Sequence, residues 1–183
     1  ERFIVAPDWR GFGLTRALVA GPEVADYGPF DHYLSPAEYL ADLDFLLDAL
    51  DTELGRDLGA TIDLVGHSMG GNVVMVYAGV RPTRIRRLVN LEGFGLPATR
   101  PAQAAGRYAQ WIDQLKSLER GELAMPRYDS LDGVAQRLMK TNPRLDPSKA
   151  SWLARHWSAQ DNEGRWQVLG DAAHKVVNPH LYR

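Results

Sequence analysis

The segment Gly66-His67-Ser68-Met69-Gly70-Gly71 constrains this chain more than any other. An apolar run, Ile62-Asp63-Leu64-Val65, precedes it, and another, Asn72-Val73-Val74-Met75-Val76-Tyr77-Ala78, follows. Strand, glycine-flanked serine, helix is the order that presents a serine hydroxyl on a sharp turn. Such a turn requires a lack of bulk. A Cβ at Gly66 or Gly70 is expected to collide with the neighbouring strand or helix, and glycine tolerates unusual dihedrals nearby. The helix starts directly beneath the serine, so its free N–H groups and positive dipole end favour an oxyanion there. A bare G-x-S-x-G arises by chance in about one chain in ten to twenty of this length. The strand before it and the small-residue helix after it therefore give the motif its weight. His67 reads as a packing or hydrogen-bonding residue of the turn rather than as a base.

The flanking pattern predicts alternating strands and helices. Phe3-Ile4-Val5-Ala6 reads as a short buried strand, closed by Pro7, and residues 21–33 as loop. Ser35-Pro36-Ala37-Glu38 is a helix start, with a capping serine, a proline at the first helical position and a capping-box glutamate. Leucines then recur at helical spacing to Leu54, and Gly55 ends the helix. Asp42, Asp44, Asp48 and Asp51 read as its solvated face. Strands are expected over 61–65 and 87–91, with a helix over 72–80 between them. Such an order implies right-handed crossovers and a parallel sheet, with functional loops at the carboxyl ends of the strands. Residues 8–13, 66–71 and 92–95 all fall there.

Beyond Pro97 the pattern is helical, over 102–118, 131–140 and 148–157, and no further strand is expected. Trp111, Trp152, Trp157 and Trp166 lie in this part. They either cover an apolar pocket or form the segment's own core.

Composition removes several classes. With 183 residues, 45% of them apolar, and a net charge of −2, the chain suits one soluble core, or a core with a small appendage, and no nucleic-acid partner. The cluster Arg81, Arg84, Arg86 and Arg87 reads as a solvated turn at a helix end. No apolar run approaches a membrane span. There is no cysteine, and the five histidines do not stand at metal-ligand spacings, so neither a metal nor a cofactor is expected. This fits a cytoplasmic protein with a small-molecule substrate.

With these motifs in place, the chain resembles the α/β-hydrolase superfamily. Ala6-Pro7-Asp8-Trp9-Arg10-Gly11-Phe12-Gly13 is similar to the family's P-D-x-R-G-x-G turn, and residues 66–71 have the G-H-S-M-G-G form of its nucleophile elbow. The resemblance covers the whole chain and is strongest over 1–96. It implies an α/β fold: a partial parallel-sheet hydrolase core at 1–96 and an α-helical cap at 97–183. Family members also carry earlier strands with a second oxyanion N–H, and later strands leading to a catalytic Asp and His. None of these is recognisable here. The chain is therefore expected to be the central portion of a longer enzyme, without the catalytic His and part of the oxyanion hole.

The resemblance implies that Ser68 attacks a carbonyl carbon and that the Met69 N–H stabilises the oxyanion. Glu92 stands at the end of the strand beside the elbow strand, where some relatives place the triad acid. It is either that acid or a structural carboxylate. His32, His156, His174 and His180 read as surface or packing residues rather than the base. Asp63 reads as structural, and Asp8 is expected to pair with Arg10. The expected reaction is hydrolysis of an ester, thioester or related carbonyl bond in a small, largely apolar substrate through an acyl-enzyme. Serine rather than Asp at the elbow argues against haloalkane dehalogenases and epoxide hydrolases. Cofactor-free haloperoxidases and carbon–carbon bond hydrolases share the serine. A non-catalytic protein of the same fold that binds a ligand or partner is the further alternative.

Overall fold

The computed structural model describes residues 3–15, 36–57, 59–95 and 98–180. The loop expected over 21–33, His32, the capping residue Ser35 and Pro97 lie outside them. Contacts group the chain into two compact units: Leu34–Gly106 with Pro179–Arg183, and Glu1–Tyr33 with Arg107–Asn178.

The first unit is a β-α-β crossover with a helix before it. Helix α1 (Pro36–Glu53) begins at the expected proline and buries Tyr39, Leu43 and Leu47. Gly55 ends it in the left-handed region at φ 60. The Gly55 N–H bonds the Thr52 carbonyl at 3.1 Å and the Arg56 N–H reaches that of Asp51 at 2.8 Å, which satisfies two terminal carbonyls. Strand β1 (Ile62–His67), helix α2 (Met69–Val80), a 3-10 turn (Pro82–Arg84) and strand β2 (Ile85–Leu91) follow. The strands pair in parallel, with Leu64 beside Leu88 and His67 beside Leu91. Helix α2 buries Gly71, Val73, Val74 and Tyr77.

The charges of this unit correct two expectations. Asp51 is buried rather than on a solvated face and Arg84 is buried rather than in a solvated turn, whereas Asp48, Arg81, Arg86 and Arg87 are exposed as expected. Arg84 is buried and joins Asp48 at 2.6 Å and Asp51 at 2.7 Å, and Asp51 is itself only 1% exposed. Arg56 and the Gly59 N–H complete the shell of Asp51. Asp44 accepts from the Tyr77 hydroxyl at 2.6 Å and from Arg81. Arg81 first, then Tyr77, hold the Asp44 carboxyl below its ordinary range, while burial and then Asp44 raise the Tyr77 phenol. Asp63 is structural, as expected, and pairs with Arg86 across the sheet at 2.8 Å.

The second unit carries helices α3 (Ala104–Glu119, which begins at the end of the first unit), α4 (Leu131–Thr141) and α5 (Pro147–Trp157). Ser130 caps α4, and Asp146 caps α5 ahead of Pro147. Here the all-helical expectation is wrong. Strands β3 (Arg127–Tyr128), β4 (Ser158–Gln160) and β5 (Trp166–Val168) form an antiparallel sheet in the order β3-β5-β4. They are too short for an alternating pattern to show. Val134, Ala135, Ala150 and Ala154 form the core of this unit, with Tyr128 and Trp166 packed against it. Trp166 thus belongs to the segment's own core, whereas Trp152 and Trp157 are exposed.

Residues 3–6 form no strand, and Phe3 and Ile4 are 76% and 82% exposed. An apolar run becomes a strand only beside a partner that takes its backbone hydrogen bonds, and no described strand pairs with it. Among the described residues no helix is long and apolar enough to cross a membrane.

Two outcomes follow from the charge network. Arg84→Ala leaves the buried Asp51 without its main cation and should destabilise the protein by about 3 kcal/mol in denaturant unfolding. Pairing lowers the pKa of Asp44 in the folded state, so its contribution is full above about pH 4 and is lost as pH falls below that. The melting-temperature gap between wild type and Asp44→Asn should therefore persist down to about pH 4 and close as pH falls below it.

Candidate active site

Ser68 stands between β1 and α2 at φ 51 and ψ −116, a region that residues with a side chain rarely adopt. Its N–H bonds the Leu91 carbonyl of β2 at 3.1 Å, and its own carbonyl takes the first helical bond of α2, from Asn72 N–H at 3.1 Å. The side chain is exposed. The N–H groups of Met69, Gly70 and Gly71 precede that first helical bond, so the helix offers them no carbonyl. The Met69 N–H therefore follows the serine directly at the positive end of the helix dipole.

The glycines act as expected in one place and differently in another. A Cβ on Gly66 would overlap the Gly70 carbonyl oxygen and stand 2.6 Å from Val74 Cγ2. A Cβ on Gly70 would meet nothing within 4 Å, so the collision expected there is corrected. The second close approach belongs to Gly71. Its Cβ would overlap Asn90 Oδ1 and lie 2.8 Å from Gly93 Cα, and a Cβ on Gly93 would lie 2.5 Å from Gly71.

Gly93 opens the loop after β2. Glu92, just before it, is exposed and lies at φ 66. Since His67 and Leu91 are register partners, Ser68 and Glu92 are the first residues off two neighbouring strands, and both leave through positive φ. The structure thus brings Ser68, Met69 and Glu92 to one end of one strand pair. Sequence reasoning missed the two asparagines that shape this end. Asn90 donates to the Gly93 carbonyl and accepts from the Gly93 N–H, both at 2.7 Å, and Asn72 Oδ1 accepts from Gly95 N–H at 2.7 Å. A polar amide inside the apolar run Leu88-Val89-Asn90-Leu91 was the available signal. His67 is exposed rather than packed.

The turn at residues 8–13 belongs to the other compact unit. The Gly13 N–H bonds Leu169 and the Asp171 N–H bonds Gly11, and Phe12 stacks on His174 at 4.0 Å. The Asp8 carboxylate accepts the Leu14 N–H at 2.9 Å, a bond that fixes the turn. A Cβ on Gly13 would overlap that carboxylate. Burial holds the His174 imidazole below its ordinary pKa, which suits a packing histidine.

A sequence profile of the α/β hydrolase fold matches residues 1–169, and the chain belongs to that family. Among curated proteins, the 2-hydroxy-6-oxo-2,4-heptadienoate hydrolase of Pseudomonas putida is 37% identical over 96 residues, 52% of this chain and 28% of that protein. A 2-hydroxymuconate semialdehyde hydrolase of Pseudomonas putida is 29% identical over 119 residues, 64% of this chain and 36% of that protein. The chain thus matches well under half the length of these relatives. Among solved structures, a hypothetical protein of Pseudomonas aeruginosa PAO1 shares the fold with a TM-score of 0.63 and 22% identity, over 78% of this chain and 48% of its own.

The glycine geometry separates two substitutions one turn apart. Gly66→Ala should cost about 2–3 kcal/mol or more through overpacking against backbone. Gly70→Ala, in open space on a helix, should be neutral or stabilising by up to about 1 kcal/mol. Thermal unfolding of the two variants checks the contrast.

Proposed function

We propose that this chain carries the nucleophile region of a serine-dependent hydrolase acting on a carbonyl bond of a small, largely apolar substrate, with residues 97–183 as its cap. The observation that carries the reading is the backbone of Ser68, held at φ 51 at the end of β1 with its side chain exposed. A serine in that conformation costs on the order of 1–3 kcal/mol, and presenting its Oγ ahead of a helix N-terminus is the return on that strain. Ser68 Oγ attacks the carbonyl carbon, and its proton passes to an imidazole base. The Met69 N–H holds the resulting oxyanion, a contact of a kind worth about 2.7–4 kcal/mol. Collapse expels the leaving group with that proton, and water then hydrolyses the acyl-serine. Glu92, beside Ser68, orients the imidazole and stabilises its charged form.

A more specific form of the reaction has support from the two curated relatives. The first is named for a dienoate acid that carries a ketone and no ester, so its hydrolysis breaks a carbon–carbon bond. On this reading the carbonyl attacked is a ketone.

The test uses the protein as its own gene encodes it. A fluorophosphonate should modify Ser68, found by peptide mass mapping, and Ser68→Ala should remain unlabelled. Labelling that persists in Ser68→Ala would sink the nucleophile assignment. Initial rates on 2-hydroxy-6-oxo-2,4-heptadienoate and on 4-nitrophenyl butyrate then separate the two carbonyl classes. Faster turnover of the dienoate selects carbon–carbon cleavage, and faster turnover of the ester selects esterase chemistry.

A further inference from the structure

We infer that Asn72 and Asn90 are positioning residues: together they clamp the loop at residues 92–95 against the start of α2 and so set Glu92 beside Ser68. The inference rests on the roles proposed above for Ser68 and Glu92.

The clamp has two points. Asn90, on β2, spends both halves of its amide on one residue, donating to the Gly93 carbonyl and accepting from the Gly93 N–H at 2.7 Å each. That pair closes a ring around Leu91 and Glu92. Asn72, on α2, takes the Gly95 N–H at 2.7 Å. Backbone is therefore tied on the far side of Glu92 at two successive places, once to the strand and once to the elbow helix. The contact between Gly71 and Gly93 presses the same loop onto that helix. Glu92 sits inside the ring at φ 66, a conformation that a residue with a Cβ leaves readily unless its neighbours hold it.

The chemistry of the amides points the same way. The sheet gains nothing from an asparagine between Val89 and Leu91, since an apolar side chain serves a strand better at that position. A carboxylate at position 90 could accept from Gly93 N–H but could not donate to its carbonyl. Only an amide of this length makes both bonds. What the clamp provides is a fixed direction for the Glu92 side chain, and misplacement by about 1 Å at a reacting centre can cost about 10²-fold in rate.

The test is the second-order rate of fluorophosphonate labelling of Ser68, followed across pH in the protein encoded by its own gene. Asn90→Ala should slow labelling by about 10²-fold, Asn90→Asp by less, and Asn72→Ala should slow it while leaving β2 untouched. A carboxylate beside an imidazole raises the imidazole pKa. The acid limb of the rate profile should therefore move to lower pH in the alanine variants, as it does in Glu92→Gln. The double variant Asn90→Ala/Glu92→Gln should label no more slowly than Glu92→Gln alone, because the two residues act as one unit. Multiplied effects in the double variant, or wild-type rates in both Asn72→Ala and Asn90→Ala, would overturn the clamp while leaving Glu92 in place. A wild-type rate in Glu92→Gln would instead overturn the role of Glu92, and the clamp's purpose with it.

Discussion

Two contacts of backbone against backbone support everything else near Ser68. Gly66 lies against the Gly70 carbonyl, and Gly71 lies against Gly93. The first folds the end of β1 directly onto the start of α2, which leaves Ser68 no choice but the left-handed side of φ. The second brings the loop after β2 onto the same helix start. Side chains at these positions would hold the three segments apart and move the N–H groups at the head of α2 away from Ser68. A strained residue persists only where its surroundings over-determine it. Here the Ser68 N–H bond to Leu91, the first helical bond to its carbonyl and the glycine packing supply that determination.

Further from the serine, charge joins α1 to the crossover. Asp44, Asp48 and Asp51 lie at helical spacing along one side of α1 and meet Tyr77, Arg81 and Arg84. Arg84 spans two carboxylates at once, a fork that suits guanidinium and would not suit an ammonium. Buried ion pairs of this kind contribute register more than net stability, because desolvation offsets much of the attraction. Their place at the junction of α2 and β2 fits such a role, for the helix that leaves the elbow and the strand that follows it are held there.

Much of this was legible in the sequence. The glycine-serine motif between two apolar runs pointed to β1, the turn and α2, and the capping signal at residues 35–38 located the start of α1. Glu92 could be placed beside Ser68 because two parallel strands of known order must end together. What escaped the sequence has physical reasons. The acids of α1 carry the same spacing as its leucines, and composition cannot say whether an arginine will arrive from 33 residues downstream, as Arg84 does at Asp51. Strands β3, β4 and β5 are too short to show a period of two. Gly70 and Gly71 look alike as letters, yet only Gly71 faces backbone, which depends on where Gly93 arrives. The amides of Asn72 and Asn90 are ordinary in sequence and acquire meaning only once the loop at 92–95 lies between them.

The central claim is that the elbow geometry makes Ser68 the nucleophile. Its most direct test is a crystal structure of the protein reacted with a phosphonate. The account predicts a covalent bond from Ser68 Oγ to phosphorus, with a phosphoryl oxygen accepting the Met69 N–H and Ser68 still at positive φ. An adduct on another residue, or a Ser68 that has relaxed into ordinary helical dihedrals with its Oγ turned away, would contradict it.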